Sequence, residues 1–173
     1  MDNQTLFFEI YNLSHKSPLI DTLMIFITDY VIYLTILFVF ILGIIGKAED
    51  KKAFLLTVLA IPVSILVIKL IHLFILEPRP FVTFHFSPLT DQTADASFPS
   101  RHATIMAVIA FTYTYLKSKW SLLFLLLMIL VGFSRIYVGV HYPQDIAGGF
   151  AAGLISLITA LELKKILKLG FFD

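Results

Sequence analysis

From Ala53 to Leu76 the chain runs through 24 residues whose only ionisable side chains are Lys69 and His72. As a helix that stretch is about 36 Å long, enough to cross a bilayer with some tilt. Similar apolar runs recur at about 30–46, 99–116, 121–138 and 143–163. A soluble domain of 173 residues could not hide them, because 58% of the side chains are hydrophobic and mean hydropathy is +0.90. Backbone groups in lipid must be satisfied within their own segment, so the sequence predicts an all-α integral membrane protein. The expected architecture is one domain, residues 1–173: a helical bundle of about five transmembrane helices, with short interfacial helices over residues 1–29.

The joints between these runs are legible too. Residues 1–17 mix Leu6, Phe7, Phe8, Ile10, Tyr11 and Leu13 with polar neighbours, the pattern of an amphipathic interfacial helix. They lack a basic n-region and a small-residue cleavage site, so they read as mature sequence. Asp29 at mid-bilayer would be costly, which places Thr28–Asp29 near an interface and leaves residues 19–28 shallow. Pro62 is expected to kink the second span. Pro78 and Pro80 stop it, and Glu77–Phe98 forms the one long polar loop.

Net charge is +1 without a basic run, which argues against a nucleic-acid partner. Cysteine is absent, so disulfides are excluded as well. With five spans, Lys47, Lys51, Lys52, Lys117, Lys119, Lys164, Lys165 and Lys168 all fall on one side, which the positive-inside rule makes cytoplasmic. Arg79, Arg101 and Arg135, every arginine in the chain, then gather at the opposite face with His102 and His141. Guanidinium groups collected away from the cytoplasmic side point to an anionic ligand.

Three short blocks carry the chemistry. In SRIYVGVHYPQD (Ser134–Asp145), His141 and Asp145 are four apart; with Pro143 opening a helix, both would project from its first turn. A carboxylate there can fix the tautomer of the imidazole and should raise its pKa by favouring the charged ring. In EPRPF, two prolines flank Arg79 and give its guanidinium a rigid mount; equally, the block is a helix stop with a snorkelling arginine. In SFPSRH, a proline-led helix start brings free N–H groups beside Ser100, Arg101 and His102, a natural phosphate seat or an ordinary N-cap. The Ser134–Asp145 block, alone, could also be an interfacial loop whose polar residues cap helices.

Together, R-P, then PSxH, then SRxxxxxHxxxD resemble the three-part signature of the type 2 phosphatidic acid phosphatase (PAP2) superfamily, directly over Arg79–Asp145. Within it, LSHKSPLIDTLMIFITDY, EPRPF and DASFPSRH resemble the bacitracin-resistance group of undecaprenyl-pyrophosphate phosphatases. The chain departs from many members where a lysine seven residues before the first arginine is replaced by His72. Lys69, one turn earlier, could reach the same phosphate, or Lys69 and His72 are only a snorkelling lysine and a helix-end histidine.

The resemblance implies phosphoryl transfer without a cofactor at a site facing the non-cytoplasmic side of the cell membrane. His141 would attack the terminal phosphorus, Asp145 would hold its ring, and His102 would protonate the leaving group. Arg79, Ser100, Arg135, Arg101 and possible Lys69 and His72 would hold phosphate. No set of three or four side chains suggests zinc. The implied substrate is a polyprenyl diphosphate embedded in the bilayer, recycled to the monophosphate for cell-envelope synthesis. A phosphatidylglycerophosphate or phosphatidate phosphatase is the alternative, and a lipid-phosphate transporter is a third reading. His15 and His85 are expected to be solvated, and Phe98, Tyr137 and Tyr142 to be interface aromatics.

Overall fold

The computed structural model describes residues 2–168, and among them every regular element is a helix. In chain order these are α1 (Asn3–Tyr11), α2 (Pro18–Ile45), α3 (Ala48–His72), α4 (Pro80–Thr83), α5 (Arg101–Tyr115), α6 (Ser121–Tyr137) and α7 (Pro143–Ile166). Three are long and apolar enough to cross a membrane: α2, α3 and α7. The all-α bundle expected from the sequence is what the chain forms.

Central to the bundle is α5, which packs against α3, α6 and α7. Ala103, Met106, Ala107, Val108, Ile109, Ala110 and Tyr113 on it are fully buried. Its 15 residues reach about 22 Å, and the 17 of α6 about 26 Å, both short of a hydrocarbon core of about 30 Å. Of the two, α5 is sheathed by its neighbours and need not match the bilayer itself. The apolar outer surface comes from α2, α3, α6 and α7, through residues such as Leu37, Leu66, Leu126, Ile129, Ile155 and Ile158, all exposed. Small residues bring α7 against α5, where a Cβ at Gly153 would lie 2.6 Å from that of Ala107.

In the N-terminal third the helices are longer and more closely packed on the bundle than the apolar pattern alone indicates. The first long helix begins at Pro18, its first-turn proline, and runs unbroken for 28 residues, so 19–28 continues directly into the span expected at 30–46. The polar groups of Thr28 and Asp29 turn inward. The Thr28 hydroxyl donates to Ser134 Oγ at 2.8 Å, and Asp29 accepts from the Thr90 hydroxyl at 2.9 Å. The apolar side of α1 covers protein. Phe7 is fully buried and its ring packs against Phe84, Phe86 and Tyr142. That aromatic cluster ties α1 to both the 77–99 loop and the start of α7.

Tyr137 and Tyr142 are likewise internal, 2% and 3% exposed, and not interface aromatics. The Tyr137 hydroxyl donates to Asp21 Oδ1 at 2.7 Å, fastening the end of α6 to the start of α2. His15 and His85 are exposed, as expected. At the other end of the bundle Asp50 is buried, accepting from Ser118 Oγ at 2.5 Å and from the Lys47 N–H at 3.1 Å. That contact locks the α2–α3 turn to the α5–α6 turn.

Candidate active site

Helix alternation brings the C-terminal ends of α3 and α6 and the N-terminal ends of α5 and α7 to one end of the bundle. There Arg79, Arg101, His102, Arg135 and His141 line a single cavity of about 330 Å³. It is roofed by Gln92 and Thr93 from the 77–99 loop and bordered by Ile32 and Tyr33 of α2. The lysine-bearing turns lie at the opposite end.

His141 is 2% exposed and sits just before α7, in the extended residues leading to Pro143. It is thus outside the helix, and the pair with Asp145 forms because the Asp145 side chain, in the first turn of α7, folds back toward the N-cap residue Tyr142. Asp145 Oδ2 accepts from the Tyr142 N–H at 2.8 Å and lies 3.2 Å from His141 Nδ1. The other ring nitrogen, Nε2, is 3.1 Å from Arg79 Nη1. A guanidinium can only donate, so Nε2 must be the accepting, unprotonated nitrogen and Nδ1 must carry the proton. The ring is held as a neutral imidazole with its lone pair facing the arginines.

The net shift of the His141 pKa is downward in spite of the neighbouring Asp145 carboxylate. Burial drives it well below the ordinary histidine value, and the charges of Arg135, Arg79 and Arg101 push the same way. Arg79, 2% exposed, is itself lowered to about 10, first by burial and then by Arg101, against the opposing pull of Asp145.

Ser97 was not singled out by sequence and is central here. It is fully buried, and its hydroxyl donates to Asp145 Oδ2 at 2.5 Å while lying 3.4 Å from His141 Nδ1. Of the two serines in SFPSRH, Ser100 drew attention because it precedes the helix. In the structure Ser100 is the N-cap of α5, fully buried, accepting from the Ala103 N–H at 3.5 Å. The Ser100 N–H donates to the Asp145 carbonyl at 3.0 Å, which joins the starts of α5 and α7.

Arg135 is 3% exposed in the last turn of α6, where Nη2 donates to Gln92 Oε1 at 2.6 Å while Nε has no partner. A buried, partly unsatisfied guanidinium aimed into a cavity is poised for an anion. Asp29 and His102 lie beside Arg135 along a second, more open recess. Lys69 and His72 are elsewhere: they line an adjoining, mostly apolar cavity of about 390 Å³ between α3 and α5, which shares Arg101 and Ile105 with the site. Among the described residues, no group of three or more His, Cys, Asp or Glu is placed to hold a metal ion.

Residues 51–166 match the PAP2 superfamily. Over 155 residues the chain is 36% identical to the undecaprenyl-diphosphatase BcrC of Bacillus subtilis (strain 168), spanning 88% of this chain and 79% of that protein. It is 32% identical over 160 residues to YbjG of Escherichia coli (strain K12), spanning 91% of this chain and 80% of that protein. The crystal structure of Aquifex aeolicus LpxE is similar with a TM-score of 0.72 at 29% identity, covering 92% of this chain and 94% of that one.

Proposed function

The chain belongs to the PAP2 superfamily, and from that premise we propose that it is a membrane phosphatase that hydrolyses a polyprenyl diphosphate to the monophosphate and inorganic phosphate. The similarity to BcrC and YbjG across most of the chain supports undecaprenyl diphosphate as the substrate, and with it a role in recycling the lipid carrier of cell-envelope synthesis. The observation that carries the chemistry is the orientation of His141: Nδ1 on Asp145, Nε2 bare and against Arg79.

His141 Nε2 attacks the terminal phosphorus; the N–P bond forms as the bond to the bridging oxygen breaks. His102, in the same cavity, gives its proton to the departing lipid phosphate. Asp145 stabilises the ring as it becomes positive, and Arg79, Arg101 and Arg135 hold the oxygens on which charge gathers. Water, deprotonated by His102, then attacks the phosphohistidine, and inorganic phosphate leaves. The N-terminus of α5, capped by Ser100, adds its partial positive charge. Lys69 and His72 do not line this cavity, so phosphate binding falls to the arginines.

The site opens at the end of the bundle away from the lysine turns, and the positive-inside rule supports a non-cytoplasmic position for it. Its substrate's chain stays in the bilayer while the diphosphate enters between helices. The test is phosphate release by purified protein across prenyl diphosphates and glycerophospholipid phosphates. Release from prenyl diphosphates above all others is expected. Binding of those lipids without any release would leave a transporter as the better reading.

A further inference from the structure

Arg79 offers five N–H groups, and their present partners limit how it can receive a ligand. Nη1 donates to the Val140 carbonyl at 3.0 Å and faces His141 Nε2 at 3.1 Å. The remaining edge, Nε and Nη2, donates to a single oxygen of Asp95 at 3.0 and 2.9 Å. The second oxygen of that carboxylate pairs with Arg101 Nη2. Asp95 therefore spans two guanidinium groups with its two oxygens, as two oxygens of a phosphate would, within reach of the nucleophile's neighbour.

The surroundings fit a seat with a removable occupant. Arg79 is 2% exposed whereas Asp95 is 35% exposed, so the fixed partner is the cation and the accessible one is the anion. Asp95 lies between α4 and α5 in a stretch without helix, and the same stretch places Gln92 on Arg135. Arg135 Nε, in contrast, is buried without a partner in the same cavity. Two anions cannot share the Nε–Nη2 edge of Arg79. A phosphate gripped there by two parallel hydrogen bonds must take the place of Asp95.

We infer that Asp95 is an internal stand-in for the substrate phosphate. It holds Arg79 and Arg101 in the geometry of the bound anion while the site is empty, and it swings out when phosphate binds. Asp95 is thus a positioning residue that also sets the site's affinity for anions. This rests on the site being a phosphate seat, as proposed above.

The test is binding of orthovanadate to the purified full chain, measured calorimetrically on wild type, Asp95→Asn and Asp95→Glu. A neutral amide competes poorly for the guanidinium pair, so D95N should bind vanadate at least about tenfold more tightly, with D95E nearer wild type. Equal or weaker binding by D95N, with wild type binding normally, overturns the displacement. Failure of all three to bind vanadate would instead sink the phosphatase reading, and the inference with it. A second measurement leaves Asp95 intact. The chain has no cysteine, and Ala94 is exposed, so a spin label on Ala94→Cys reports on this segment alone. Saturating vanadate should sharpen its spectrum as Asp95 is released. An unchanged or broadened spectrum would show that the carboxylate stays in place.

Discussion

Arg79 Nη1 and His141 Nε2 are 3.1 Å apart although the residues are 62 positions apart in sequence. Under the proposed mechanism the contact sets the attacking nitrogen directly beside a group that would hold phosphate, so one short loop and one extended stretch of backbone would define both halves of the reaction centre. It also explains how a buried imidazole can sit in a field of three arginines: it is neutral, and its lone pair serves as acceptor.

Arg79→Lys keeps the charge and removes the planar fork. A lysine cannot at once contact Val140 and His141 on one side and grip an anion on the other. Turnover should fall by about 100-fold or more, with KM for the lipid diphosphate raised. Steady-state kinetics on detergent-solubilised protein checks this, and near-normal turnover would remove Arg79 from the reacting centre.

Ser97→Ala tests the support of the His141–Asp145 pair. The Ser97 hydroxyl is a buried donor to Asp145 Oδ2, and Oδ1 of that carboxylate already lacks a partner. Its loss should cost about 1–3 kcal/mol of stability and lower kcat more than it changes KM. Thermal unfolding in detergent and kinetics read the two effects separately. Unchanged kcat would confine Ser97 to packing.

How far the sequence reached follows from what sets each feature. The arginine and histidine positions were readable because charge in an apolar chain is costly and therefore placed with purpose. The extent of α2 was not, because Thr28 and Asp29 look misplaced until Ser134 and Thr90, from distant segments, satisfy them. Ser97 and Asp95 stayed hidden for the same reason: each gains its meaning from partners more than a dozen residues away. The His141 pKa was misjudged because spacing shows the one carboxylate but not the burial and the three cations that outweigh it. The Ser100 motif was located correctly on a helix start, yet only coordinates show its hydroxyl engaged with the helix itself.

Gly149 is a position where close approach matters. A Cβ there would lie 2.7 Å from that of Ala103 and 2.8 Å from the Ser100 carbonyl. Gly149→Ala should wedge α7 from the start of α5, separating the element that carries Asp145 from the one that carries His102. A cost of about 1–3 kcal/mol is expected, together with a loss of turnover larger than the stability change explains. Wild-type melting and activity would show that the two helices yield easily.

Chelation provides an independent check of the proposed chemistry. The arginines supply the charge that a metal ion would otherwise provide, so activity should persist in excess EDTA at neutral pH. Loss with EDTA and recovery with magnesium would require a metal in the reaction.

The pH dependence tests His141 itself. Attack needs the neutral ring, and burial with three guanidinium charges holds its pKa well below the ordinary value. Activity should therefore remain level as pH drops through about 6.5, where an ordinary histidine protonates, and the acid limb should appear only lower. Asp145 favours the charged ring, so Asp145→Asn should move that limb lower still and cut turnover by about 100-fold to 10,000-fold. At the other extreme, Arg79 loses its proton as pH rises through about 10, so phosphate binding should weaken there. Arg101→Gln removes the charge that, after burial, most depresses Arg79, and should shift this basic limb upward. Nitrogen NMR of labelled histidine, followed beside kcat/KM, reads the ring directly: Nε2 should be the unprotonated nitrogen across neutral pH. A His141 that titrates near the ordinary value, or a ring with its proton on Nε2, would show that the lone pair does not face the phosphate seat and that another group makes the attack.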